Sequence, residues 1–220
     1  VEAGLRTGNL KSPFPEEMNR QVISRMANIH FAPTKGAEEN LINEGIDTQL
    51  IHVTGNTVID ALFYSIGRIG DKPLPKVQDL NVILDQKDVI LVTGHRRENH
   101  GMGLNRICEA LSRISVLYPD VKIVYPVHLN PAVKNLVELK LGNIENIILV
   151  SPMGYPEFVW LMNRSKIILT DSGGIQEEAP SLGKPVLVMR ENTERPEAVE
   201  AGTAILVGTS PDKIVEEVSS

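Results

Sequence analysis

One cysteine, Cys108, is all that 220 residues contain, so the chain can form no internal disulfide and no cysteine metal cluster. No apolar run approaches the ~20 residues of a membrane-crossing helix. Basic excess is also missing. Lys and Arg number 22 against 28 Asp and Glu, for a formal charge of -6, and that mean field repels nucleic acid and anionic membrane surfaces. Any anionic ligand must then be captured by local donors. Repeats of roughly 20 to 50 residues, low-complexity tracts and heptad seams are absent as well. The class left standing is a cytoplasmic globular chain, long enough for one large domain or two small ones. The opening "VEAGLRTGN" has neither an initiator Met nor the basic and apolar regions of a signal peptide, and "SPDKIVEEVSS" stops inside a helical pattern. The expectation is an excerpt of a longer protein.

What the chain does have is alternation. Short β-branched runs give way to longer amphipathic ones: "NIHFAP" to "TKGAEENLINEG", "QLIHVTG" to "NTVIDALFYSIGRI", "DVILVTG" to "GMGLNRICEALSRISVLY". The pattern continues through "VKIVYPV", "NIILV", "KIILTDSGG" and "PVLVM" to "AILVG". Strands apolar on both faces, alternating with helices, predict an α/β fold with parallel sheets covered on both sides. The segment Ile66 to Asp88 is poor in period and rich in Pro, Lys and Asp, and reads as a seam. Two βα units precede it and five or six strands follow. The expected parse is residues 1–66 as the C-terminal part of one Rossmann-like domain with its crossover, and 67–220 as a second, nearly whole doubly wound domain lacking its final helix.

In an open parallel sheet, ligands sit beyond the carboxyl ends of strands. "LTDSGGIQEEAPSLGKP" occupies such a place: Gly173 and Gly174 admit close backbone approach, and exposed N–H groups favour a phosphate. Glu178 falls one helical turn after Gly174, where a carboxylate can take two ribose hydroxyls. Gly-rich turns are common, and on "SGG" alone an ordinary turn would be the better reading; the acid one turn inside changes the balance. "VTGHRREN" makes a similar strand end with His95, Arg96 and Arg97, groups suited to pair with a diphosphate. "YPVHLNP" puts His128 at a third strand end, a position where histidine more often packs or caps. In "TERPEAVEAG", Arg195 precedes a helix-opening Pro196. The first twenty residues bring Glu2, Arg6, Glu16, Glu17 and Arg20 together, and two acids on opposite sides of a substrate can act as base and acid. Cys108 lies on the stripe Leu104, Ile107, Cys108, Leu111 and Ile114, a core face. The histidines at 30, 52 and 100 share no metal-ligand spacing.

Six ordered segments, "VEAGLRTGN", "PFPEEMNR", "VTGNTVIDAL", "VTGHRREN", "YPVHLNP" and "LTDSGGIQEEAPSLGKPVLVMRENTERPEAVEAGT", resemble the non-hydrolysing UDP-N-acetylglucosamine 2-epimerases over the whole chain. The resemblance implies two Rossmann-like halves facing each other across a cleft, as in the B-type glycosyltransferases, the first half present only in part. It implies interconversion of UDP-N-acetylglucosamine and UDP-N-acetylmannosamine for surface polysaccharides, through elimination of UDP to 2-acetamidoglucal and re-addition. No cofactor and no metal are implied, and the partner is a second copy in a homodimer.

By motif, the resemblance assigns Ser172, Gly173, Gly174 and Arg195 to the diphosphate, Glu178 to the ribose, and Phe158 with the Met153 backbone to the uracil. His95 sits beside the diphosphate, Glu2 and Glu16 are the acids of proton transfer, and Arg97 with His128 belong to a second, regulatory position. The family's amino-terminal Gly-Thr-Arg-Pro-Glu loop, a catalytic Asp and a closing helix have no counterpart among these residues, so activity is expected of the longer parent. Rival readings are a B-type UDP-sugar glycosyltransferase, a hydrolysing epimerase and a non-catalytic UDP-sugar-binding module.

Overall fold

A computed structural model describes residues 2–70, 74–94, 96 and 99–220. They form two compact units, one running to Asp60 and including Asn192–Arg195, the other comprising Ala61–Glu191 and Pro196–Ser220.

The first unit carries α1 (Glu16–Met26), β1 (His30–Ala32), α2 (Lys35–Asn43) and β2 (Ile51–Val53). The two strands pair in parallel, with His30 opposite Ile51, and Glu2 bridges to His30. Thr34 fixes the start of α2 by accepting the Ala37 N–H at 3.1 Å, which satisfies one of the orphan donors of the first turn. Leu41 and Ala37 on the inner face of α2 then pack on Ala32 and Ile51 as a small core. Gly4 passes close over this helix with φ +75°, and a Cβ there would run into the Ala37 carbonyl oxygen and the Leu41 side chain, 2.9 Å away. Only glycine fits that crossing.

The boundary between units falls within α3 (Thr57–Ile69). Thereafter come α4 (Gln78–Leu84), β3 (Val89–Thr93), α5 (Met102–Leu117), β4 (Lys122–Pro126), α6 (Pro131–Leu141), β5 (Ile147–Val150) and α7 (Tyr155–Arg164). The chain continues with β6 (Ile167–Thr170), α8 (Ile175–Ser181), β7 (Val186–Val188), α9 (Pro196–Glu200), β8 (Ala204–Leu206) and α10 (Pro211–Ser219). Six parallel strands lie in the order β5-β4-β3-β6-β7-β8.

Successive side chains of a strand point to opposite faces, and β3 shows the result. Ile90 and Val92 join a core with α5, α6 and α10, whereas Val89 and Leu91 join another with α4, α7 and α8. Both faces are covered, which is why the strands read as unbroken apolar runs. The expected α5 stripe is buried, and burial pushes the Cys108 thiol up to about 11, leaving it a packed and inert group.

The segment read as a periodless seam contains the end of α3, a 3-10 turn at Pro75–Val77 and α4. Among its described residues the buried ones are Val77, Leu80 and Leu84, spaced three and four apart. Two turns of helix are too few for that spacing to stand out in sequence.

The strand order reverses direction between β3 and β6. From β3 the chain steps outward to β4 and β5, then returns to the other side of β3 and proceeds to β7 and β8. Connections leaving β3 and β6 therefore diverge and open a crevice beyond their carboxyl ends, where ligands of doubly wound sheets bind.

Candidate functional site

Both Gly-bearing loops picked out in the sequence leave from this switch point. Thr93 and Thr170 stand opposite each other in register, and their hydroxyls share a hydrogen bond of 2.7 Å. Immediately beyond, the fully buried Tyr125 donates its hydroxyl to the Gly94 carbonyl at 2.9 Å. Asp171, also fully buried, accepts the Arg96 N–H (2.9 Å) and the Asn99 side-chain amide (3.1 Å) on one oxygen. Asn99 donates in addition to the Met189 carbonyl at 3.1 Å. The acid that opens "DSGG" thus holds the loop after β3 against the loop after β6.

Next along the chain, the Ser172 N–H donates to the Thr170 hydroxyl (3.0 Å) and the Gln176 amide donates to the Ser172 carbonyl (3.2 Å). Gly174 caps α8 with an ordinary right-handed helical φ of -64°. A Cβ there would meet only Glu178 Oε1, at 3.6 Å, an ordinary contact. Neither backbone strain nor packing within the unit calls for glycine at this position, so the surface above it is open to a close approach.

Glu178 sits one turn into α8 and is buried, with Oε2 accepting the Tyr155 hydroxyl at 2.8 Å. Burial raises its carboxyl above the ordinary value, the Tyr155 hydrogen bond opposes that rise, and the nearby Glu177 adds to it. Burial and the carboxylate together push the Tyr155 phenol up to about 12. Met153 and Phe158 are half-buried and pack against the core that holds Ile175 and Ala179 of α8. Met153, Phe158, Ser172, Gly173, Gly174 and Glu178 accordingly all belong to the second unit, around α7 and α8.

In the first unit the two acids differ sharply. Glu2 is buried and accepts the Gly4 N–H (2.8 Å), the Ser24 hydroxyl (2.9 Å) and the Arg6 guanidinium (3.2 and 3.4 Å). Burial alone would raise its carboxyl, but the Gly4, Arg6 and Ser24 donors together hold it below the ordinary value. Arg6 is itself shared with Glu44, at 2.7 and 3.0 Å. Glu16 lies exposed at the first position of α1. Its neighbour Glu17 is fully buried, taking the Thr7 and Gly8 N–H groups (3.0 and 3.2 Å) and the Gln21 amide (3.1 Å). The pair "EE" is therefore one structural acid beside one solvent-facing acid.

Arg195 is half-buried and donates to the buried Glu194 at 2.7 Å, while its N–H donates to the Thr193 hydroxyl at 3.1 Å. Arg20 of α1 lies 3.7 Å from the same Glu194 carboxylate. His128 is exposed, its Nδ1 accepting the Asn130 N–H at 3.1 Å. His95 and Arg97 lie outside the described residues. Among those described, no cluster of three or more His, Cys, Asp or Glu is placed to hold a metal ion, and no helix is long and apolar enough to cross a membrane. Reading by sequence missed Tyr155, Arg6 as a partner of Glu2, Ser24 and Glu44. Arg6 and Glu44 stand 38 positions apart, and no local spacing links them.

The family model described as UDP-N-acetylglucosamine 2-epimerase matches residues 1–220. The chain belongs to this family. It is 57% identical over 223 residues to the UDP-N-acetylglucosamine 2-epimerase of Campylobacter jejuni, covering 99% of this chain and 58% of that protein. The Escherichia coli K12 relative is 54% identical over 222 residues, with 100% and 59% covered. Among solved structures, the Neisseria meningitidis UDP-GlcNAc 2-epimerase bound to UDP-GlcNAc superposes with a TM-score of 0.95 at 49% identity, covering 100% of this chain and 60% of that one. The Methanocaldococcus jannaschii UDP-GlcNAc 2-epimerase in complex with UDP-GlcNAc and UDP gives 0.85 at 36% identity, again covering 100% and 60%. The GT-B-like α/β class read from the sequence stands, with the family resemblance that suggested it. The chain spans about three-fifths of the length of these relatives.

Proposed function

We propose that the protein containing this chain interconverts UDP-N-acetylglucosamine and UDP-N-acetylmannosamine. The observation that carries the reading is the family match across all 220 residues; the complexes of relatives with UDP-GlcNAc and UDP support the ligand class. The proton on sugar carbon 2 is not beside a carbonyl and is barely acidic, so its removal must accompany departure of UDP. The C–H electron pair becomes the C1–C2 double bond of 2-acetamidoglucal, and the C1–O pair leaves with UDP. Return of UDP to C1, with a proton delivered to the other face of C2, completes the change.

In this reading the N–H groups around Ser172, Gly173 and Gly174 and the Arg195 guanidinium hold the diphosphate through departure and return, each charge-assisted bond contributing about 1.5 to 3 kcal/mol. Glu178 takes the ribose, with Phe158 and the Met153 backbone beside the uracil. Glu2 and Glu16 serve proton transfer. Glu2 is held ionised before the step, the state a base requires, though the same donors reduce its proton affinity. His95 favours charge on the leaving group, and Arg97 with His128 form a second, regulatory position. The same reading keeps the division at residues 1–66 and 67–220, a homodimer and a cytoplasmic site of action.

Incubation of the full-length protein with UDP-N-acetylglucosamine alone in deuterated water tests it. Deuterium at carbon 2 of both nucleotide sugars is expected. A transferase or a binding module would leave that position protonated, and accumulation of free N-acetylmannosamine would indicate a hydrolysing enzyme instead.

A further inference from the structure

Charged side chains of α1 meet the segment Asn192–Arg195, which belongs to the first unit although its chain neighbours on both sides do not. The Glu194 side chain is 1% exposed, and burying a carboxylate so deeply is costly unless it is paired. Two guanidiniums approach the same oxygen, Oε1: Arg195 Nη1 donates to it at 2.7 Å, and Arg20 Nη2 of α1 stands 3.7 Å away as an ion pair. Glu17 lies 3.9 Å from Arg20 Nη1, but its hydrogen bonds come from Thr7, Gly8 and Gln21. We infer that Glu194 is a positioning residue that holds the Arg195 guanidinium in one place and orientation before the nucleotide arrives, so that the diphosphate meets an ordered cation. The inference rests on the reading of Arg195 as a diphosphate contact.

The geometry supports this in three ways. The backbone beneath Arg195 is held from both sides: its N–H donates to the Thr193 hydroxyl at 3.1 Å, and Pro196, which opens α9, disfavours helical backbone at the residue before it. Glu194 then holds the far end of the side chain, so a long arm is tethered at base and tip. A guanidinium also carries five N–H donors in a rigid fork, and the Glu194 bond engages one of them while restricting the directions of the rest. Finally, Arg20 and Arg195 are like charges drawn to one oxygen. Without the carboxylate between them they repel, and Arg195 loses the anion that keeps it where it is.

Calorimetric titration of the full-length protein with UDP tests this in the wild type and in Glu194→Ala, Glu194→Gln and Arg195→Ala, with each Glu194 substitution also combined with Arg195→Ala. Glu194→Ala should weaken UDP about 2- to 12-fold, the cost of ordering one long side chain on binding. Glu194→Gln keeps the shape and an acceptor oxygen, so it should lose less and serves where alanine unfolds the segment. The combined variants decide. A residue that acts through Arg195 has nothing to act on once the guanidinium is gone, so either Glu194 substitution should leave UDP affinity unchanged in the Arg195→Ala background. A loss of the same size in both backgrounds makes Glu194 a general support of the segment and overturns the inference. Affinity that is unchanged in both Glu194 variants overturns it too, as does tighter binding, which would mean that Glu194 competes with the diphosphate for Arg195. If Arg195→Ala itself leaves UDP affinity unaltered, the diphosphate assignment of Arg195 fails and the inference falls with it.

Discussion

Replacing Arg6 with alanine should reduce the local stability of the first unit by about 3 kcal/mol, the lower end of the cost of orphaning a buried charge. Arg6 and Glu2 have side chains only 6% and 7% exposed and lie 3.2 Å apart, while Glu44, 2.7 Å from Arg6, is 23% exposed. Loss of the guanidinium leaves Glu2 charged and buried, with only the Gly4 N–H and the Ser24 hydroxyl as donors. Glu44 can turn to water, which keeps the estimate away from the upper end near 5 kcal/mol. Were the cluster merely a surface ion pair, the loss would be about 0 to 1 kcal/mol. Hydrogen exchange of amides in α2 and β1, measured by mass spectrometry on the full-length protein, reads this local opening directly. A 3 kcal/mol loss corresponds to exchange faster by roughly a hundredfold or more. The double variant Arg6→Met with Glu2→Gln should recover over half of the loss, since no buried charge is orphaned. Exchange accelerated less than fivefold in Arg6→Ala, and unaltered by the second substitution, would refute the reasoning.

Gly4→Ala should cost about 2 to 5 kcal/mol, from a left-handed backbone and overpacking against the Ala37 carbonyl, and the same exchange measurement checks it; a loss below 1 kcal/mol would show that the chain shifts aside. The Glu2 carboxyl is lower in the folded state than its ordinary 4.5, so the stability it confers is complete above that pH and is lost as pH falls through the folded value. Comparing wild type with Glu2→Gln from pH 6 to pH 3 should show the wild-type advantage shrinking on acidification, and a constant gap would contradict this. Glu16→Gln should lower turnover about 10²- to 10⁴-fold while nearly preserving UDP affinity, whereas Arg195→Ala should weaken UDP binding by about 1.5 to 3 kcal/mol; steady-state kinetics and calorimetry separate the two.

The fold was legible wherever a single strand or helix carries its own pattern. Val89 to Thr93 is apolar on both faces and could only be an interior strand, and the α5 stripe declared its buried side. The loops at the carboxyl ends of β3 and β6 were legible because glycine and charge interrupt such runs abruptly. What stayed hidden depends on closure of the chain in three dimensions. Glu16 and Glu17 are the same residue type in adjacent positions, and only the fold of Thr7 and Gly8 over α1 makes one of them structural. Tyr155 lies 23 residues before Glu178, and their meeting follows from α7 and α8 packing into the same core on one face of the sheet. Asp171 reads in sequence as part of a ligand turn, yet its work is to hold a neighbouring loop.

That shared carboxylate has a mechanical corollary. Two loops pinned to one interior post move as a single piece: a shift of the backbone at Arg96 drags on Asp171, and through it on the serine that follows. Any motion of either loop must turn the assembly as a unit or break the post, and the sheet beneath, already fastened by its paired threonines, favours the former.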